Sequence, residues 1–220
     1  MNRQSILSRG GGVIISMAVI LAIAAVALAA LFNPVWIGPA QERSGVPSIT
    51  GWSTAEVERI TGSILQDVLL GPPAFAMSGP GGQAVLDEAE RGHMRDVYAV
   101  LRAFALVVLL AGGVGALLLW RHRSEAAAWR AVARGAAILA IAGVVMAVLV
   151  AFFFDAAFLA FHLVFFPQGN FSFDPATERL TQLFPGQFWT ESAAAVVMVG
   201  LVLSLATWFL ARRRARTFSS

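Results

Sequence analysis

Residues 131–166 read AVARGAAILAIAGVVMAVLVAFFFDAAFLAFHLVFF, an apolar run whose only ionisable side chains are Arg134, Asp155 and His162. Wound as a helix at ~1.5 Å per residue, it far outruns a hydrocarbon core of ~30 Å. A span starting at Val132 leaves that core near Asp155. Residues 132–154 are therefore read as membrane-crossing, and the remainder to Phe166 as an interfacial or kinked extension. The bilayer becomes the solvent in which the whole chain is read.

Composition agrees. Hydrophobic residues make up 58% of the 220 positions and charged residues 13%, against roughly 45–50% and about 25% in soluble domains. There is no cysteine, which removes disulfides, thiolate nucleophiles and sulfur-ligated metal. The net charge of +3 comes from sixteen arginines without a lysine. Their clustering at the ends of apolar runs fits membrane topology and gives no support to nucleic-acid binding.

Three further spans frame the run: about 13–32, 97–120 and 193–211. The first resembles a signal peptide, with Ala27-Leu28-Ala29 as a possible cleavage site. Its apolar core exceeds the usual 7–15 residues of a signal segment, so it is expected to stay as a transmembrane helix. Residues 33–96 form a polar excursion. Within it, Ser53 and Glu56 make a capping box, and Val57, Ile60, Ile64, Leu65 and Val68 recur at helical spacing up to Leu70. The apolar face of that helix could rest on the other helices or on the headgroup boundary. A second helix is expected to start at Gln83 and run into the membrane. Gly112-Gly113 and Gly143 suggest close helix packing.

The N-terminus, the loop after Trp120 and the C-terminus hold ten arginines and a single acid, Glu125, whereas residues 33–96 and 162–191 hold eleven acids and five arginines. The positive-inside rule puts both termini in the cytoplasm and both acidic loops outside. The expected fold is thus all-α: one polytopic membrane domain over residues 1–220, with four transmembrane helices and an extracytoplasmic helical excursion between the first and second.

That topology sets His93 and His162 at one depth on one side, at the outer ends of the second and third spans. Ionisable groups in such places point to function. Asp96 lies at i+3 from His93, and Asp155 lies seven residues before His162, so each histidine has a carboxylate on its own helix face. The third histidine, His122, sits in the cytoplasmic arginine loop and reads as a solvated residue. Nothing here forms a Gly-x-Ser-x-Gly, His-Glu-x-x-His or phosphate-loop motif. A zinc site built from His93, Asp96, Asp155 and His162 stays conceivable, but the spacing matches no known metal motif, and no metal or cofactor is expected. The span centres are almost purely Ala, Val, Leu, Ile and Gly, which disfavours a transport pathway.

Two stretches carry a family resemblance. Gly92-His93-Met94-Arg95-Asp96-Val97 forms one. The other runs from Phe161-His162 through Phe165-Phe166, Phe173-Asp174-Pro175 and Leu183-Phe184-Pro185 to Phe188-Trp189. Both resemble boxes of the lipoprotein intramolecular transacylase (Lit) family of four-span bacterial integral membrane proteins. The chain departs from that pattern at Glu178-Arg179-Leu180-Thr181, where an acidic residue is displaced, and at Phe171, which stands in place of a tryptophan. The resemblance implies an acyltransferase of the bacterial cytoplasmic membrane whose partner is a diacylglyceryl-modified lipoprotein embedded in membrane lipid. An acyl chain would move from the sn-2 oxygen to the α-amino group of the N-terminal cysteine. His93 and His162 would be catalytic, and Asp96, Asp155 and Asp174 supporting. A membrane hydrolase using the same residues, metal-assisted or not, and a non-enzymatic membrane protein are the alternatives.

Overall fold

The computed structural model describes residues 7–219; Arg3, part of the charge asymmetry, lies outside them. The described chain is helical, with no strand beyond an isolated bridge between Ser78 and Ala84. Helices α1 (Arg9–Ala29), α5 (Glu88–Arg121), α6 (Ala126–Phe152) and α9 (Gly186–Thr217) are long and apolar enough to cross a membrane. Between them lie α2 (Pro34–Arg43), α3 (Val46–Thr50), α4 (Thr54–Leu69), α7 (Phe154–Phe165) and α8 (Arg179–Leu183). The chain gathers into two compact units.

The first unit comprises the chain through Ala29, Phe104–Val148 and the chain from Ala195. Small residues let its helices touch. Ser16 donates to the Gly12 carbonyl and, at 2.8 Å, to that of Ala131 on α6. A Cβ added at Gly135 would fall 2.4 Å from the Ser16 carbonyl oxygen, and one at Gly115 would fall 2.3 Å from Ala18 Cβ. Of the glycines singled out from the sequence, Gly143 is such a contact, 2.9 Å from Leu201, whereas Gly112 and Gly113 meet nothing within 4 Å. The expectation for that pair is corrected: in a helix only the glycines turned toward a neighbour matter.

The second unit comprises Ala30–Ala103 and Leu149–Ala194. Its core joins Val57, Ile60, Ile64 and Val68 of α4 to Val46, Phe75, Val85, Leu86, Met94, Leu180 and Leu183. The apolar face of α4 therefore rests on protein, each buried aliphatic side chain contributing about 1.5–3 kcal/mol. Ser53 caps α4 by accepting the Glu56 N–H at 3.3 Å, but the Glu56 carboxylate turns to Arg59, so only half of the expected capping box forms. Two helices of the excursion, α2 and α3, escape a periodicity search because prolines and glycines interrupt it. Asn33 nonetheless caps α2 with Pro34 behind it, the usual helix-start pairing.

Two boundaries differ from expectation. The helix expected from Gln83 begins at Glu88, because Met77, Gly79, Gln83 and Val85 pair their backbones around a tight turn first. The long run breaks at Phe153, whose backbone (φ −139°, ψ 32°) leaves helical geometry, and α7 restarts with Asp155 in its first turn. A carboxylate is favoured there by the helix dipole. Helix α7 stops at Phe165, since Phe166 precedes Pro167 and is pushed out of the helical region.

Candidate active site

The start of α5 is built from a reciprocal pair. Asp87 Oδ1 accepts the Glu90 N–H at 2.8 Å, and Glu90 Oε2 accepts the Asp87 N–H at 2.7 Å. This capping box satisfies two N–H groups that a helix end leaves open. Glu90 is only 2% exposed, and its second oxygen takes the Leu180 N–H of α8 at 2.6 Å. One turn further along α5 comes His93, 7% exposed.

His162 arrives on α7 and is 8% exposed. Its Nδ1 lies 2.8 Å from the Phe158 carbonyl oxygen. A carbonyl only accepts, so Nδ1 carries the hydrogen, and in the neutral ring the lone pair sits on Nε2. The rings of His93 and His162 stack with centroids 6.1 Å apart and planes 25° apart. Phenylalanines wall them. Phe166 lies 4.7 Å and Phe173 5.6 Å from His93, while Phe158, Phe171 and Phe161 lie 4.2, 5.1 and 5.4 Å from His162. The result is a pair of imidazoles in a largely apolar cage, suited to moving protons between groups held there.

The carboxylates named from the sequence take other positions. Asp96 Oδ2 accepts hydrogen bonds from Gln168 Nε2 at 2.8 Å and Asn170 Nδ2 at 2.6 Å, so it holds the loop that follows α7. Asp155 is exposed, and the ring nitrogen it was expected to orient bonds to Phe158 instead. Asp174 organises a turn: its Oδ1 accepts the Ala176 N–H and its backbone N–H bonds to the Glu178 carboxylate. Arg95 pairs with Glu88 at 2.5 Å, and Arg102 donates to the Leu69 carbonyl at 2.6 Å. Among the described residues no three His, Cys, Asp or Glu side chains converge as metal ligands. Glu90, Phe158 and Asn170 join the site only through contacts that the fold creates. Only Glu90 had a local signal, the Asp-x-x-Glu spacing at Asp87.

Both histidine-bearing stretches lie inside residues 12–189, which match the family model for the lipoprotein intramolecular transacylase Lit. The chain belongs to the Lit family. Among solved structures, that of the membrane integral lipoprotein intramolecular transacylase Lit from Bacillus cereus aligns with a TM-score of 0.79 at 18% identity, covering 95% of this chain and 96% of that one. Two further structures of Bacillus cereus Lit carry a histidine-to-arginine or a histidine-to-alanine substitution. Each aligns with a TM-score of 0.74 at 18% identity, over 95% of this chain and 92% or 94% of theirs. At that identity the likeness to Lit shows the fold. No curated protein matches the chain. The Lit resemblance and the all-α, four-helix membrane architecture drawn from the sequence are both borne out.

Proposed function

We propose that this chain catalyses acyl transfer within a bacterial lipoprotein. The acyl group leaves the sn-2 oxygen of the diacylglyceryl unit and joins the α-amino group of the same N-terminal cysteine, giving an N-acyl, S-monoacylglyceryl lipoprotein. Membership of the Lit family supports the reaction class. The observation that carries the residue assignment is the His93–His162 pair, 6.1 Å apart and buried.

Amine and ester belong to one molecule, so holding them in register supplies much of the rate. The protein's own task is proton handling. The α-ammonium, with a pKa of about 7.7–8, first sheds one proton through an imidazole to the medium. The amine lone pair then attacks the ester carbonyl carbon, forming the C–N bond and moving negative charge to the carbonyl oxygen. His162, with its lone pair held on Nε2, takes the second proton from nitrogen, and His93 donates toward the oxygen that gains charge. On collapse the bond between the acyl carbon and the sn-2 oxygen breaks, and the imidazolium returns its proton to that oxygen. Protons and charge balance without a cofactor.

The arginine distribution supports cytoplasmic termini and an extracytoplasmic site, the side on which a lipoprotein N-terminus is displayed. The test is mass spectrometry of the N-terminal peptide of a reporter lipoprotein, with wild type, His93→Ala and His162→Ala. Wild type gives the N-acylated, monoacylglyceryl peptide and each variant leaves the diacylglyceryl form with a free amine. N-acylation that persists in both variants sinks the assignment.

A further inference from the structure

Among the described residues, three buried side-chain polar atoms have no hydrogen-bond partner within the protein: Asn170 Oδ1, His93 Nδ1 and Ser204 Oγ. Ser204 belongs to α9. The other two belong to the site just described. Asn170 directly precedes Phe171, whose ring lies 5.1 Å from that of His162, and it bonds to Asp96, one turn beyond His93.

The orientation of the Asn170 amide is fixed by chemistry. Its Nδ2 lies 2.6 Å from Asp96 Oδ2, and a carboxylate oxygen only accepts, so the NH2 end must face Asp96. Oδ1 is thereby held on the opposite side of the amide, buried and unpaired. Burying an acceptor unpaired is unfavourable, and such an atom beside a reaction centre is accounted for when a ligand supplies the donor. At the reacting end of a diacylglyceryl cysteine the ester oxygens only accept, while the α-amine donates.

We infer that Asn170 is a substrate-binding residue whose Oδ1 accepts a hydrogen bond from the substrate's α-amine, an assignment that rests on the transacylase reading above. A neutral carbonyl suits the purpose better than a carboxylate. It aims the nitrogen lone pair at the ester without forming an ion pair that would keep the amine protonated. Asp96 acts through Asn170 as a positioning residue.

The experiment uses the full-length protein in lipid nanodiscs with two synthetic diacylglyceryl peptides, one with a primary α-amine and one N-methylated. On the primary amine, Asn170→Ala and the near-isosteric Asn170→Leu lower kcat/KM on the order of ten- to a hundredfold. Gln168→Ala removes the other hydrogen bond to Asp96 Oδ2 without touching a buried acceptor, and it changes kcat/KM about twofold at most. Wild type discriminates against the N-methyl peptide, and the Asn170 variants lose that discrimination because the acceptor that counted the N–H is gone. Thermal melts of all variants separate misfolding from loss of contact. Asn170 variants that fold and behave like Gln168→Ala, or that keep the wild-type N-methyl penalty, overturn the inference. If His93→Ala and His162→Ala also retain transfer, the underlying reading has failed; if they abolish it while Asn170→Ala does not, this inference alone has failed.

Discussion

Glu90 and Leu180 are ninety positions apart in the chain, yet Glu90 Oε1 accepts the Leu180 N–H at 2.6 Å in the interior of the protein. The same carboxylate caps α5 through Asp87, so one buried side chain joins the stretch bearing His93 to the loop that follows His162. Glu90→Ala leaves two backbone N–H groups without their acceptor, at about 1–3 kcal/mol for each one that stays buried. A clear fall in Tm is expected, with Glu90→Gln intermediate because its amide keeps one acceptor oxygen. A Glu90→Ala melt equal to wild type would remove this tie from the account.

The bond from His162 to Phe158 fixes a tautomer. In protein with ¹⁵N-labelled histidine, the neutral His162 ring is expected to show a protonated Nδ1 and an unprotonated Nε2, assigned by comparison with His162→Gln. The opposite pattern contradicts the proposed base.

Asp155 shares a helix with His162 but is exposed, and the imidazole already has an orienting partner. Asp155→Asn is expected to keep transfer within about twofold of wild type, the usual range for a surface change. A loss beyond tenfold in the reporter assay would restore Asp155 to the site.

The glycines of the first unit separate by what faces them. Gly135→Ala drives a Cβ to 2.4 Å from the Ser16 carbonyl oxygen, a backbone atom that cannot swing aside. Overpacking of this kind costs about 1–3 kcal/mol. Gly112→Ala meets nothing within 4 Å and should be neutral or slightly stabilising. Equal melts for the two variants would contradict the packing described.

On α4, hydrogen bonding from Arg59 holds the Glu56 carboxyl below the usual carboxylate range. A depressed folded-state value means the contact contributes at neutral pH and is lost as pH falls through that value. Both side chains are near the surface, so the effect is small. In acid titrations of Tm, Glu56→Gln should match wild type at low pH and fall slightly below it near neutrality. The reverse order is the contrary result.

Much of the architecture was legible because membrane spans announce themselves by length and hydropathy, and the Lit boxes carry both histidines. Long-range partners were not legible. Nothing local reveals that Glu90 meets Leu180, that Asp96 meets Asn170, or that a carbonyl within its own helix takes the hydrogen of His162. Helical spacing nominated Asp155, but spacing gives only a shared face and says nothing of which polar atom is nearer. The helices α2 and α3 were hidden by Pro39, Gly45 and Pro47, which punctuate a sequence without always stopping a short helix.

For the proposed transfer, the ring of phenylalanines around the two imidazoles bears on which nucleophile would win. An ester activated beside a base is open to water as well as to the amine, and water would release a free fatty acid and leave a dead-end lyso-lipoprotein. Phe158, Phe161, Phe166, Phe171 and Phe173 offer water no hydrogen bonds, whereas the tethered amine is delivered by its own substrate. In the proposed transfer the cage would thus set the fidelity of the reaction, the ratio of aminolysis to hydrolysis, separately from its rate. A polar residue in place of Phe166 or Phe173 should appear first as leaked fatty acid.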